Sequence, residues 1–226
     1  MYLITGASRG IGRFLIEKYA KAGHQVMGLY KTTEPESIHG EYYQLDISNE
    51  EEVAKFYEAN KGKLKDIVLI NAAGISYNAF GHKADIDAWS EVIKTNLIGL
   101  FNLTRLVLPI MRTDSYGRII NFSSVVAQLG VPGTSAYATS KAGLWGMSKA
   151  LAVENGSKNV TINNINLGYF NIGMIEQVPG NMLENILQKI PAGRLGSPEE
   201  IYSTVDFIIN TPYLNGASID LNGGML

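Results

Sequence analysis

Tyr137 and Lys141 stand four positions apart in the stretch S-A-Y-A-T-S-K-A-G, residues 135–143, with small residues around both. On a helix this spacing puts a phenol and an ammonium on one face, a pair able to do acid–base chemistry. It equally describes two ordinary helix neighbours, so its meaning depends on whether a cofactor site lies elsewhere in the chain. The candidate is T-G-A-S-R-G-I-G near the start. There Gly6, Gly10 and Gly12 allow a tight turn, close approach of backbone to a pyrophosphate, and close packing of a helix on a strand, while N–H groups at the helix N-terminus face the anion. Glycine-rich turns are common; this one gains weight only between a strand and a helix.

Both flanking elements are predicted. Residues 2–5 read as a short apolar strand, and 12–22 carry helical spacing. Further strands are expected at 25–30, 42–45, 67–70, the run R-I-I-N-F-S, 160–166 and 217–221. Helices are expected at 49–60, opened by Ser48, at 89–111, and from near Tyr137. Strands apolar on both faces and separated by helices predict an α/β fold, a doubly wound parallel sheet of about seven strands covered on both sides. The connection from Thr32 to Gly40 is too short for a full crossover helix, so a reduced helix or turn is expected there.

Composition narrows the classes. The 226 residues, 46% hydrophobic and 18% charged, suit one compact domain, 1–226, with no linker or repeat. Net charge is −2 and the Lys and Arg residues are scattered, so no basic footprint for nucleic acid forms. The absence of cysteine excludes disulfides, a thiol nucleophile and thiolate metal ligands. His24, His39 and His82 lack metal-ligand spacing, and no metal is implied. No secretory pattern opens the chain and no apolar run reaches the roughly 18 residues that cross a membrane, so a cytoplasmic protein without membrane partners is expected.

With the glycine turn, Tyr137 and Lys141 in place, other motifs align. L-D-I-S at 45–48, N-A-A-G at 71–74, T-N-L around Asn96, F-S-S at 122–124, P-A-G-R-L-G-S-P-E-E-I and L-N-G-G-M follow in order. Together they resemble the short-chain dehydrogenase/reductase family over essentially the whole chain, and especially its 3-oxoacyl carrier-protein reductases. The resemblance implies a Rossmann-like fold and reduction of a ketone to a secondary alcohol. It implies Tyr137 as proton donor, Ser124 as the serine that holds the carbonyl, and Asn96 as the residue that bends its helix and holds a water leading to Lys141. Ser123 is adjacent, but the thirteen-residue spacing to the tyrosine favours Ser124. Asn96 interrupts an apolar stripe of Trp89, Val92, Ile93, Leu97, Leu100 and Phe101, where a buried asparagine could also merely satisfy backbone. Free tyrosine titrates near about 10, so Lys141 is expected to lower it; three units would need about 4 kcal/mol.

The cofactor contacts implied are Gly6, Ser8, Arg9, Gly10, Ile11, Gly12, Tyr30, Lys31, Asp46, Ile47, Asn71, Ala72, Gly74, Tyr137, Lys141, Gly168 and Ile172. Members that prefer NAD carry an acid at the end of the second strand; here that position is Tyr30, followed by Lys31, with Arg9 in the glycine turn. Two cations and no acid predict NADPH/NADP+ over NADH. The usual P-G after the sixth strand is Leu167-Gly168, and the threonine that binds the carboxamide is Ile172.

Residues 169–193, with Met174, Ile175, Met182, Leu183, Ile186 and Leu187, read as a substrate lid or a plain core-facing helix. Such a lid suits an acyl chain or another partly hydrophobic ketone. A carrier protein would dock on basic residues beside the site, but the stretch before the fifth strand offers Asp114 and Ser115, with Lys158 near. A 3-oxoacyl thioester is the leading substrate; a sugar or other metabolite ketone follows. A non-catalytic NADPH sensor and a scaffold subunit are the alternatives of other classes. The apolar helices from Trp89 and Tyr137 imply a homodimer or homotetramer.

Overall fold

The computed structural model describes residues 1–36, 39–178 and 180–226, with all side chains among them except those of Gln177, Asn181 and Met182. Seven parallel strands form one sheet in the order β3-β2-β1-β4-β5-β6-β7. They are β1 (Tyr2–Thr5), β2 (Val26–Tyr30), β3 (Glu41–Gln44), β4 (Ile67–Asn71), β5 (Gly117–Ser124), β6 (Val160–Leu167) and β7 (Ser218–Leu221). The chain winds outward from β1 to β3, returns to place β4 on the other side of β1, and continues to β7. A ligand crevice is expected where the direction reverses, at the C-terminal ends of β1 and β4.

The helices are α1 (Gly10–Lys21), α2 (Glu50–Asn60), α3 (Ile86–Ile93), α4 (Leu100–Asp114), α5 (Val126–Leu129), α6 (Ser135–Asn155), α7 (Gly180–Gln188) and α8 (Pro198–Ile209). Leu15, Ile16 and Tyr19 of α1 bury with Ile201, Val205 and Ile208 of α8 against one face of the sheet. Val53 and Phe56 of α2, Leu103 and Val107 of α4, and Leu144 and Leu151 of α6 bury against the other. Two apolar layers thus clamp the sheet, and fully burying one such side chain is worth about 1.5–3 kcal/mol.

Local chemistry sets the boundaries. Asn49, rather than Ser48, caps α2, accepting from the N–H groups of Glu51 and Glu52, while Ser48 turns back onto Asp46. Three glutamates then occupy the first turn of α2, where the helix dipole favours them. The expected helix at 89–111 begins earlier, at Ile86, because Asp85 caps it. It is also interrupted by a π-helical segment, Lys94–Gly99. Helix α8, which the periodicity reading passed over, opens on a full capping box between Ser197 and Glu200 with Pro198 in its first turn. No helix covers the described part of the β2–β3 connection; residues 37 and 38 of that connection lie outside the described residues.

Strand β6 departs most from expectation. It is buried throughout, yet Thr161, Asn163, Asn164 and Asn166 stand among its residues, so it is not apolar on both faces. Asn71, Asn121, Asn164 and Ser218 lie in register on four adjacent strands. Asn71 Nδ2 donates to Asn121 Oδ1 (2.7 Å), Ser148 Oγ donates to Asn164 Oδ1 (2.8 Å), and Asn164 Nδ2 donates to Ser218 Oγ (3.1 Å). Asn121 Nδ2 donates to Ser148 Oγ at 3.0 Å, tying the row to α6.

Candidate active site

At the end of β1 the chain turns through Gly6, whose φ of +66° lies in the left-handed region that side chains disfavour. A Cβ on Gly6 would stand 2.8 Å from the Ala73 Cα, and one on Gly12 only 2.3 Å from the Gly6 carbonyl oxygen. Only hydrogen fits at either place. This closeness brings the first turn of α1 onto the strand and leaves its N–H groups facing the crevice. Thr5 Oγ1 accepts from Ala73 N–H (3.0 Å), tying N-A-A-G to the glycine turn. The cradle therefore fits the pyrophosphate of a dinucleotide. Ser8 and Ile11 are half-buried beside it, and Arg9 is exposed with no ion pair among the described residues.

On the β2 side, Tyr30 ends its strand half-buried and no acid stands there. Lys31 is not a free cation: its Nζ is 2.6 Å from Asp46 Oδ2 and 3.6 Å from Glu91 Oε1. Partial burial works to raise the Asp46 carboxyl, but the Lys31 ammonium and the Ser48 donors outweigh it and hold Asp46 below its usual range. Ile47 is buried against Gly99 of the π-helical segment, and its carbonyl accepts from Asn102.

That segment places Asn96. A π turn adds a residue to the helical repeat and frees local backbone, and such turns recur at functional sites. Asn96 is fully buried; its Oδ1 accepts from Ile75 N–H and its Nδ2 donates to Ile75 O, both at 2.8 Å. Nδ2 also donates to Ser140 Oγ (3.1 Å), which in turn donates to the Tyr137 carbonyl (2.8 Å). Asn96 thus satisfies local backbone and ties α6 at the level of the tyrosine. A Cβ on Gly74 would be 3.4 Å from both Asn96 Oδ1 and Lys141 Nζ, so these groups converge on one point.

Helix α6 carries Tyr137 and Lys141 on one face. Lys141 is buried, its Nζ donates to Phe122 O (2.7 Å), and it stands 5.6 Å from the Tyr137 ring centre. Burial with no anionic partner pushes the ammonium down to about 8. Burial also pushes the Tyr137 phenol up, and a hydrogen bond with Ser124 opposes this. Desolvation is the largest influence on the phenol.

The choice between the two serines follows from the strand's alternation. Ser123 faces α6 and donates to the Lys141 carbonyl (2.9 Å), so it anchors the helix. Ser124 ends β5 with its Oγ accepting from Val126 N–H (3.2 Å) and meeting the tyrosine. The sequence does not single out Ser140 and Thr5, and it offers Ser123 only as the neighbour of Ser124, because hydroxyls in short apolar runs carry no pattern of their own.

Asn71 lies in the buried row with Oδ1 unpartnered, Ala72 packs on the apolar layer, and Gly168 presses against Asn222 at the end of β6. Ile172 turns its side chain onto the same apolar layer, offering no polar group to a carboxamide. The segment after β6 holds a 3₁₀ turn, Gly173–Gln177, and then α7. Gly173 touches Gly10: a Cβ on Gly10 would meet the Gly173 Cα at 3.2 Å. Ile175, Leu183, Ile186 and Leu187 are half-buried and Met174 is exposed; the side chain of Met182 lies outside the described residues. Arg194 closes the segment with a two-pronged pair to Glu200 (2.7 and 2.9 Å), holding that carboxyl down at about 2.

One expectation is overturned by position. Asp114, Ser115 and Lys158 precede β5 and β6, at the strand ends opposite Ser124. An eight-residue strand separates them from the site by roughly 23 Å. Basic residues there serve structure: Arg112 bonds Glu154 O and Asn155, and Arg118 bonds Ile209 O, Gly117 O and Asn159 O. Among the described residues no group of three or more histidines and acids could hold a metal, and no helix is long and apolar enough to cross a membrane.

Fold and site define a class: a doubly wound α/β protein with a dinucleotide cradle at its switch point and a serine, tyrosine and lysine beside it. The family model described as short chain dehydrogenase matches residues 1–182, and the chain belongs to this family of oxidoreductases. It is 40% identical to an acetoacetyl-CoA reductase of Shinella zoogloeoides, with 98% of this chain and 96% of that protein covered. It is 36% identical to a 3-oxoacyl-[acyl-carrier-protein] reductase of Pseudomonas aeruginosa (99% and 96% covered), and 33% to the one of Escherichia coli (99% and 96%).

Proposed function

We propose that the protein reduces the ketone of a short 3-oxoacyl thioester to a secondary alcohol at the expense of NADPH. The observation that carries this is the convergence of Ser124, Tyr137, Lys141 and Asn96 beside the glycine cradle. The names of its relatives, reductases of acetoacetyl-CoA and of 3-oxoacyl carrier-protein thioesters, support the substrate class.

In this reading Gly6, Gly10 and Gly12 receive the pyrophosphate, with Ser8 and Ile11 beside it. Asp46, Ile47, Asn71, Ala72 and Gly74 line the crevice, while Gly168 and Ile172 approach from the last loop. Arg9 and Lys31 favour the phosphorylated cofactor over NADH. When bound, the reduced nicotinamide supplies the hydride that the carbonyl carbon accepts. Ser124 Oγ donates to the carbonyl oxygen and fixes its orientation. The Tyr137 phenol gives its proton to that oxygen as the alcohol forms. Lys141, set beneath the ring, stabilises the phenolate left behind, and Asn96 holds α6 in position through Ser140. Residues 169–193 act as an apolar lid over the substrate.

A coenzyme A thioester suffices, since the basic surface sought for a carrier protein lies at the wrong end of the sheet. Exposed Phe101 on α4 and Val153 on α6 support self-association into a dimer or tetramer, which light scattering at micromolar concentration checks. The test of function is NADPH oxidation with acetoacetyl-CoA. Turnover by the wild type, cut about 10³-fold or more by Tyr137→Phe, is expected; NADPH binding without turnover of any ketone would favour a sensor.

A further inference from the structure

Lys31 is the cation nearest the end of β2, and two carboxylates already face it. They differ in what else they do. Asp46 is fixed by Ser48, whose N–H and hydroxyl both donate to Oδ1 (2.9 and 2.7 Å). Glu91 comes from α3, is nearly half exposed, and has no hydrogen bond or ion pair among the described residues other than with Lys31. Its position serves neither the core nor a helix cap.

We propose that Glu91 is a specificity-determining residue whose carboxylate competes with the 2′-phosphate of NADP(H) for the Lys31 ammonium, narrowing the protein's preference over NAD(H). This rests on the NADPH reading above. Lys31 with Asp46 and Glu91 sums to −1, and Arg9, which the NADPH reading assigns to the same phosphate, brings the total to zero. A phosphate monoester near pH 7 adds about −1.5 to −2. It must take Lys31 away from at least one acid, and Asp46 is the one the loop holds in place. Glu91 therefore either withdraws or repels, and both weaken NADPH while leaving a cofactor without that phosphate untouched. Because all three groups are partly exposed, solvent limits the effect to about three- to fivefold in affinity.

The test is titration of purified protein with NADPH and with NADH, followed by the fluorescence of the bound nicotinamide. Glu91→Gln is expected to tighten NADPH about three- to fivefold and to leave NADH within about twofold. The gain is expected to vanish in a Lys31→Ala background, since Glu91 acts through that lysine. Equal shifts for both cofactors, or a gain that persists without Lys31, would overturn the proposal. The underlying reading fails separately: it falls if Arg9→Ala and Lys31→Ala both leave NADPH affinity unchanged, a result obtained without any Glu91 variant. Glu91→Gln and wild type should share one melting temperature, so a fold defect cannot imitate the effect.

Discussion

The two halves of the sheet are held together by different forces. Around β1, β2 and the start of β4 the interior is apolar: Leu3, Ile4, Met27, Leu29, Ile67, Leu69 and Ile70 are buried side by side. Under α6, the C-terminal parts of β5 and β6 turn polar, with Asn121, Ser123, Asn164 and Asn166 facing the helix. In the proposed function the first half presents backbone N–H groups to an anion, which needs close approach and small residues. The second must hold side chains at fixed height and angle, which non-directional apolar packing specifies less well than hydrogen bonds. Trp145 Nε1 to Asn166, Ser148 to Asn164 and Ser123 to the Lys141 carbonyl pin α6 at three levels.

The sharpest way to test this division is Gly12→Val. With a Cβ placed 2.3 Å from the Gly6 oxygen, α1 must move, so NADPH affinity should fall more than about 100-fold, with a lower melting temperature. Retained affinity by titration would mean that the cradle does not depend on that approach.

Next is Lys141→Met, which should cut turnover by about 10²-fold or more yet stabilise the unliganded fold. A lysine moved from 10.5 to about 8 by burial costs up to about 3 kcal/mol at pH 7. Its folded value lies below its unfolded one, so the cost is full below about pH 8 and is relieved as pH rises through 8 toward 10.5. Urea unfolding should therefore show the variant's advantage shrinking over that window. A constant advantage would assign the gain to packing.

Asn164→Ala removes a partner from Asn121, Ser148 and Ser218 together. A loss of about 2–3 kcal/mol is expected, comparable to Ile70→Ala in the apolar half although far less apolar surface is removed. If Asn164→Ala costs under about 0.5 kcal/mol, the polar row does not bear on stability and the contrast between halves collapses. Smallest of all, Lys158→Glu should leave kcat/KM for acetoacetyl-CoA unchanged, since Lys158 lies at the far strand ends; a marked loss would return a docking role to that surface.

Much of the nucleotide half was legible because its signals are local. T-G-A-S-R-G-I-G encodes the turn, the approach and the helix start within eight residues, and alternating apolar runs encode the layers. Tyr137 and Lys141 were legible for the same reason, one helical turn apart. The irregular helix at Asn96 was legible only through the resemblance, which implied a bend there, because nothing in T-N-L itself distinguishes a widened turn from a regular one. The row Asn71–Asn121–Asn164–Ser218 was not legible: its members are about 50 residues apart in pairs, and an asparagine in a strand reads as solvent-facing until its neighbours across the sheet are known.

By itself, then, the sequence determined the family, the alternation of strands and helices, the glycine turn and the placing of Tyr137 and Lys141 on one helix face, since each depends on short local motifs. Only the tertiary structure decided that Ser123 turns to the Lys141 carbonyl, that Lys31 is shared between Asp46 and Glu91, that burial pushes the phenol up, and that the basic residues before β5 stand at the far end. Those outcomes depend on register, desolvation and distance between segments remote in the chain, and these quantities arise only once the sheet is assembled.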